Sequence, residues 1–140
     1  LVLYLGVLYH MEDPLRAMRR VASVTAPGGL AVIETAAIEV PELADSAFCE
    51  FYPGQEFNND PTNWWAPNAK ALEGLCLAAG FQEVRLLTEP PGKPELSLSN
   101  RLSSAIKHLL FETHLPQRLG YEERADLQTM HYRAIAHARL

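Results

Sequence analysis

Leu1-Val2-Leu3-Tyr4-Leu5-Gly6-Val7-Leu8-Tyr9-His10 is the stretch whose reading decides the fold. Its first nine residues are almost all apolar, far short of the roughly 20 a membrane-spanning helix needs. A short, unbroken apolar run suits a strand of a parallel sheet, covered on both faces. The run meets His10, and Asp13-Pro14 then opens a helix, with the acid as cap and proline at the first helical position. Leu15, Met18 and Ala22 share one stripe of that helix, while Arg16, Arg19, Arg20 and Ser23 face away. Pro27-Gly28-Gly29 stops the helix, and residues 30–33 form a second buried strand running into Glu34 and Thr35. Strand, helix, turn and strand make one βαβ unit, so the sequence predicts an α/β domain.

Working outward, regular periodicity disappears over residues 41–66. Pro53, Gly54, Asn58, Asn59, Asp60 and Pro61 mark a long loop, and Phe48, Phe51, Tyr52, Phe57, Trp64 and Trp65 crowd into it. Long loops in compact domains are usually functional or disordered, and the aromatic content argues for order. Pro67 reads as opening a helix with Leu72, Leu75, Cys76 and Ala79 on one face and Gly80 at its end. Residues 81–87 follow as a third strand. After a break at Pro90, Pro91, Gly92 and Pro94, the stripe Leu102, Ala105, Ile106, Leu109 and Leu110 predicts an amphipathic helix, and residues 122–127 a shorter one. Residues 130–140 alternate, with Tyr132, Ala134, Ala136 and Ala138 against His131, Arg133, His137 and Arg139, which predicts a final strand.

A chain of 140 residues is enough for one domain with one core. The composition, 48% apolar and 21% charged, is that of an ordinary globular protein, and no membrane partner is expected. A net charge of -5 weighs against a broad nucleic-acid surface on this portion. Two cysteines, Cys49 and Cys76, make neither a disulfide framework nor a metal knuckle, and a cytoplasmic setting is expected. His108, His114, His131 and His137 lack ligand spacing, so no metal is expected. The chain opens at Leu1 inside an apolar run, which raises the expectation that it begins part-way through a longer protein.

Three pieces carry a family resemblance. Gly6-Val7-Leu8-Tyr9-His10 is followed by Asp13-Pro14-Leu15, Pro27-Gly28-Gly29 precedes Leu30-Ala31-Val32-Ile33-Glu34-Thr35, and Leu72 leads through a helix to Ala79-Gly80-Phe81. In this order they resemble the second half of a class I S-adenosylmethionine (SAM)-dependent methyltransferase, from its fourth strand to its sixth. The resemblance implies a Rossmann-like α/β fold, truncated at the N-terminus, with a mostly parallel sheet and a final antiparallel strand. Residues 1–140 would be the C-terminal part of one methyltransferase domain, with an aromatic loop at 41–66 and a helical insertion at about 91–128. The Gly-rich turn and the ribose-binding acid of such enzymes have no counterpart here and would lie upstream. A narrower likeness joins Gly6-Val7-Leu8-Tyr9-His10, Glu34-Thr35 and Tyr52-Pro53-Gly54 to the family around the tRNA wobble-uridine 5-oxyacetic acid (carboxy)methyltransferases, which binds SAM or carboxy-SAM. Asn63-Trp64-Trp65-Ala66-Pro67 departs from that pattern.

Ligands of open α/β sheets sit beyond the carboxyl ends of the strands. Leu5, Gly6 and Tyr9 lie at such an end and are the expected cofactor contacts, Gly6 because bare backbone permits close approach. By resemblance, Leu5 packs on the cofactor and Tyr9 lines the pocket around the transferred group; otherwise Tyr9 is a half-buried aromatic with a satisfied hydroxyl. His10 is a candidate general base, or a cap on the turn. Glu34 either accepts a proton or binds substrate, or is a structural carboxylate. Trp64 and Trp65 can stack on a base or close over a sulfonium, and one of them is expected to anchor the loop. Asn63 donates to substrate or fixes the turn. Arg16, Arg19 and Arg20 fit a solvated face better than a phosphate contact. The acceptor is tRNA or a small molecule, with a non-catalytic methyltransferase-like binding domain as the alternative from another class. A carboxylate on the donor would need a cation, and the sequence places no Lys or Arg to supply one. Ordinary SAM is therefore the expected cofactor, with carboxy-SAM as its rival.

Overall fold

A computed structural model describes residues 1–91 and 129–140. In chain order its elements are β1 (Val2–Leu5), α1 (Pro14–Val24), β2 (Leu30–Glu39), β3 (Cys49–Phe51), β4 (Trp65–Pro67), α2 (Ala69–Ala79), β5 (Glu83–Leu86) and β6 (Met130–Arg139). Short 3-10 turns occupy Leu8–His10 and Pro41–Leu43. The helices predicted at residues 102–110 and 122–127, and the insertion around them, lie outside the described residues.

The main sheet has the order β1-β2-β6-β5. β1 and β2 are parallel, and β6 runs antiparallel to both β2 and β5. The fold is therefore mixed α/β. The expectation of a mostly parallel sheet needs correcting at the level of pairing, because β6 inserts between β2 and β5 and makes both of its ladders antiparallel. A second sheet pairs β3 with β4.

Element lengths depart from the sequence reading for physical reasons. The first strand ends at Leu5 rather than running through residue 9, because Gly6 adopts φ +69, a left-handed turn that breaks the ladder. Strand β2 runs on to Glu39, past its apolar run, because residues 35–39 pair with residues 134–130 of β6. Inside the 41–66 loop, β3 and β4 are three residues each, too short to leave a period in the sequence. Pro67 closes β4, and the cap of α2 is Asn68.

The two faces of the sheet are covered differently. On one, Ala31, Ile33 and Ala37 of β2 and Ala134, Ala136 and Ala138 of β6 pack with Met18, Val21 and Ala22 of α1 and Leu72 and Cys76 of α2. Alanines on the strands let the helices approach closely. On the other face Ile38 and Val40 pack with Tyr52 and Ala66, so the aromatic loop closes over the carboxyl end of β2. Leu1, Leu3 and Leu5 remain exposed along the β1 edge.

Caps hold both helices. The Asp13 side chain accepts from the Arg16 amide, and Thr25 Oγ1 donates back to the Val21 carbonyl at the other end. Asn68 is almost fully buried and uses both ends of its amide: Oδ1 accepts from the amides of Ala71 (2.9 Å) and Phe48 (3.2 Å), and Nδ2 donates to the Ser46 carbonyl (2.7 Å). One side chain thus caps α2 and ties the loop to it. Gly80, at φ +113, ends α2 and lets Phe81 fold back into the core.

Candidate active site

The carboxyl end of β1 meets the middle of β2 where Gly6 turns. The Gly6 amide donates to the Glu34 carbonyl at 3.0 Å, which fixes the first residue after β1 against the middle of β2. A Cβ on Gly6 would stand 3.7 Å from Arg133 Nη2, 3.8 Å from Glu34 Oε2 and 3.9 Å from the Tyr9 hydroxyl. Three residues from three separate elements therefore surround one patch of bare backbone.

Arg133 reaches this point from β6. It sits opposite Ala36 in the antiparallel register, one step diagonal to Glu34 on the same face. Its guanidinium grips Glu34 with two bonds, Nε to Oε1 and Nη2 to Oε2, the latter at 2.8 Å. It also lies 5.0 Å from the centroid of the Tyr9 ring, a cation–π distance. The hydrogen bond to Glu34 is the main reason that the Arg133 pKa lies above its ordinary value. A guanidinium has five N–H donors; Glu34 takes two here. The Tyr9 hydroxyl accepts a further one, and the N–H groups left over can face a ligand.

Tyr9 is held on both sides. Its ring lies 4.1 Å from that of His10, and its carbonyl accepts from the Trp64 amide at 2.8 Å. His10 Nδ1 bonds the Thr62 carbonyl at 2.8 Å and Thr62 Oγ1 at 3.1 Å. Thr62 in turn gives both its amide (2.9 Å) and its hydroxyl (2.7 Å) to Asp60 Oδ1. Those two bonds, the side-chain one first, hold the Asp60 carboxyl below its ordinary pKa.

The other residues named from the sequence fall around this center. Leu5, half exposed, ends β1 opposite Glu34. Phe51 stacks near Trp64 (6.4 Å) and tilts against Trp65 (4.8 Å), joining the two indoles in one aromatic group. Both tryptophans are partly buried, and the indole nitrogen of Trp65 is buried without a partner. Asn63 is buried and donates to the Phe57 carbonyl at 2.9 Å, so its amide nitrogen fixes the loop. Farther along, His131 Nε2 lies 2.8 Å from the Tyr52 hydroxyl, which also donates to Glu50. Burial pushes the Tyr52 hydroxyl well above its ordinary pKa, with Glu50 adding to the shift. Arg16, Arg19 and Arg20 are exposed on α1. Among the described residues no three His, Cys, Asp or Glu side chains gather to hold a metal, and no helix is long and apolar enough to cross a membrane.

The sequence alone missed Arg133, Thr62 and Asp60. Arg133 is one of several charges on an alternating strand, and only the register of β6 against β2 brings it to Glu34. Thr62 and Asp60 sit in an aperiodic turn that the His10 side chain happens to meet.

Residues 1–86 match the family described as methyltransferase domain. The chain belongs to the methyltransferase-domain family. Similar curated proteins include the tRNA U34 carboxymethyltransferase of Chromohalobacter salexigens, 33% identical over 87 residues, covering 62% of this chain and 25% of that protein. Proteins of the same name from Syntrophotalea carbinolica and Idiomarina loihiensis are 31% and 29% identical, over 60% and 61% of this chain and 24% and 25% of theirs. The chain spans about a quarter of the length of these relatives. A SAM-dependent methyltransferase from Archaeoglobus fulgidus aligns with 99% of this chain and 58% of its own, at 15% identity and a TM-score of 0.48. In this methyltransferase domain, the matched residues include β1, β2, Tyr9, His10, Glu34 and the aromatic loop, while Arg133 lies beyond them.

Proposed function

We propose that this domain forms the donor-facing wall of a SAM-type transferase that acts on the wobble uridine of tRNA. Its donor carries a carboxylate on the transferred group. The observation that carries this reading is Arg133, a cation reaching across from β6 to the Tyr9 ring and the bare backbone of Gly6. Sequence alone does not place this cation, and without it ordinary SAM is the expectation. The tRNA reading rests on the names of the curated relatives.

The residues present suit the donor. Gly6, turned at φ +69, leaves bare backbone beside Arg133 and Glu34, and Arg133 keeps free N–H groups next to it. Glu34 orients the guanidinium and balances its charge, so a donor carboxylate would be held by the N–H groups that Glu34 leaves free. Leu5 and Tyr9 supply apolar surface at the strand end, and the Phe51, Trp64 and Trp65 group offers ring faces to a base. When bound, the donor supplies an electrophilic carbon on a sulfonium. The chain contributes position and charge, which can account for much of the rate.

Tyr9→Phe in the full-length protein tests the reading. A hydroxyl bonded to a charged partner is worth about 1.5–3 kcal/mol. Carboxy-SAM binding should fall about tenfold, and SAM binding should change little, read by competition. Equal losses for both donors would mean that Tyr9 only packs, and would remove support for the carboxylated donor.

A further inference from the structure

The ring of His10 faces two groups through Nδ1, and both can only accept. Thr62 O is a carbonyl oxygen, and the Thr62 hydroxyl has already committed its proton to Asp60 Oδ1 at 2.7 Å. Nδ1 must therefore carry the proton. In the neutral ring the lone pair then sits on Nε2, which makes no hydrogen bond among the described residues. The ring is partly buried and tilted against that of Tyr9, with the centroids 4.1 Å apart.

We propose that Asp60 and Thr62 are positioning residues that hold His10 in the Nδ1–H tautomer, and that the unbonded Nε2 lone pair accepts the proton of an acceptor hydroxyl. The proposal deepens the transferase reading and rests on it. In the step, the acceptor O–H breaks, the new bond is Nε2–H, and the electron pair stays on oxygen; that oxygen would then bond the transferred carbon as its carbon–sulfur bond breaks, with the pair leaving on sulfur as a neutral thioether. The positive charge on the ring would be linked through Thr62 to the Asp60 carboxylate, and the proton afterwards passes to water. A histidine that merely pinned the loop would need only its Nδ1–H bond. The Asp60 carboxylate behind Thr62 adds what a base needs, an anion placed to stabilize the charged ring. The charged and titratable groups facing His10 are Asp60 through Thr62, and Tyr9, with Arg133 beyond the Tyr9 ring.

His10→Asn separates base from pin. An asparagine amide can stand in for Nδ1–H, so the bond to the Thr62 carbonyl survives while Nε2 is lost. In the full-length protein, turnover with tRNA and donor should fall by about a hundredfold or more, the range that general-base groups supply. The amide resonances of Thr62 and Trp64 should stay in place. In the wild type, nitrogen-15 NMR of the imidazole, with no ligand added, should show the neutral ring protonated on Nδ1. Asp60→Ala should mix the tautomers. Turnover retained by His10→Asn, or a ring protonated on Nε2, would overturn the proposal. A wild type that transfers nothing would instead sink the transferase reading, and the tautomer measurement, which needs no substrate, would still decide for or against the Asp60–Thr62–His10 arrangement.

Discussion

Arg133→Met in the full-length protein should weaken carboxy-SAM binding by about a hundredfold and leave SAM binding within a few-fold of wild type. Hydrogen bonds to a charged group are worth about 1.5–3 kcal/mol each, and a guanidinium meets a carboxylate through two. Arg133 is half exposed, so solvent screening trims the sum of two such bonds toward the lower end. A second effect works in the same direction. Without its partner, Glu34 keeps an uncompensated carboxylate beside Gly6, which repels the carboxylate on the transferred group of one donor and meets no such group on SAM, whose net charge is positive. Methionine keeps the length and much of the packing, so loss of fold is not the expected outcome. Isothermal titration with each donor checks the split. A hundredfold loss of both would make Arg133 a structural residue.

Asn68→Ala should lower stability by about 2–4 kcal/mol, the largest change expected of any polar substitution outside the site. Three partners are lost together: the N-cap bond at Ala71, the acceptor of the Phe48 amide and the donor to the Ser46 carbonyl. The site is nearly inaccessible to water, so none is replaced by solvent. Asn68→Asp is the informative control. It keeps both acceptor bonds but sets a carboxylate against the Ser46 carbonyl, so it should recover only part of the loss. Urea denaturation of the full-length protein would read both. If alanine proved as stable as wild type, the loop would not depend on this anchor.

The βαβ unit was readable from local chemistry. Asp13-Pro14 capped and opened α1 where expected, and Gly80 closed α2. The alternation over the last residues marked β6 because one of its faces is packed in alanines and the other carries His131, Arg133 and Arg139. Other features were set by tertiary partners. The extent of β2 came from its pairing with β6, and the length of β1 from a glycine turn buried in an apolar run. In the aromatic loop, three-residue strands and side-chain anchors such as Asn63 and Asn68 replace periodicity. The candidate site was half legible. Gly6, Tyr9 and His10 stood out at a strand end, yet the charge beside them came from Arg133, which is 99 positions from its partner Glu34. Distance of that kind is invisible until register is known.

The most direct test of the central claim is transfer itself. The full-length protein is incubated with unmodified and wobble-hydroxylated tRNA and with SAM or carboxy-SAM, and the nucleosides are analyzed by mass spectrometry. A carboxymethyl group should appear on the wobble uridine with carboxy-SAM, and no product should form at that position with SAM. Methyl transfer from SAM to tRNA, with carboxy-SAM inert, would contradict the role assigned to Arg133 and Tyr9.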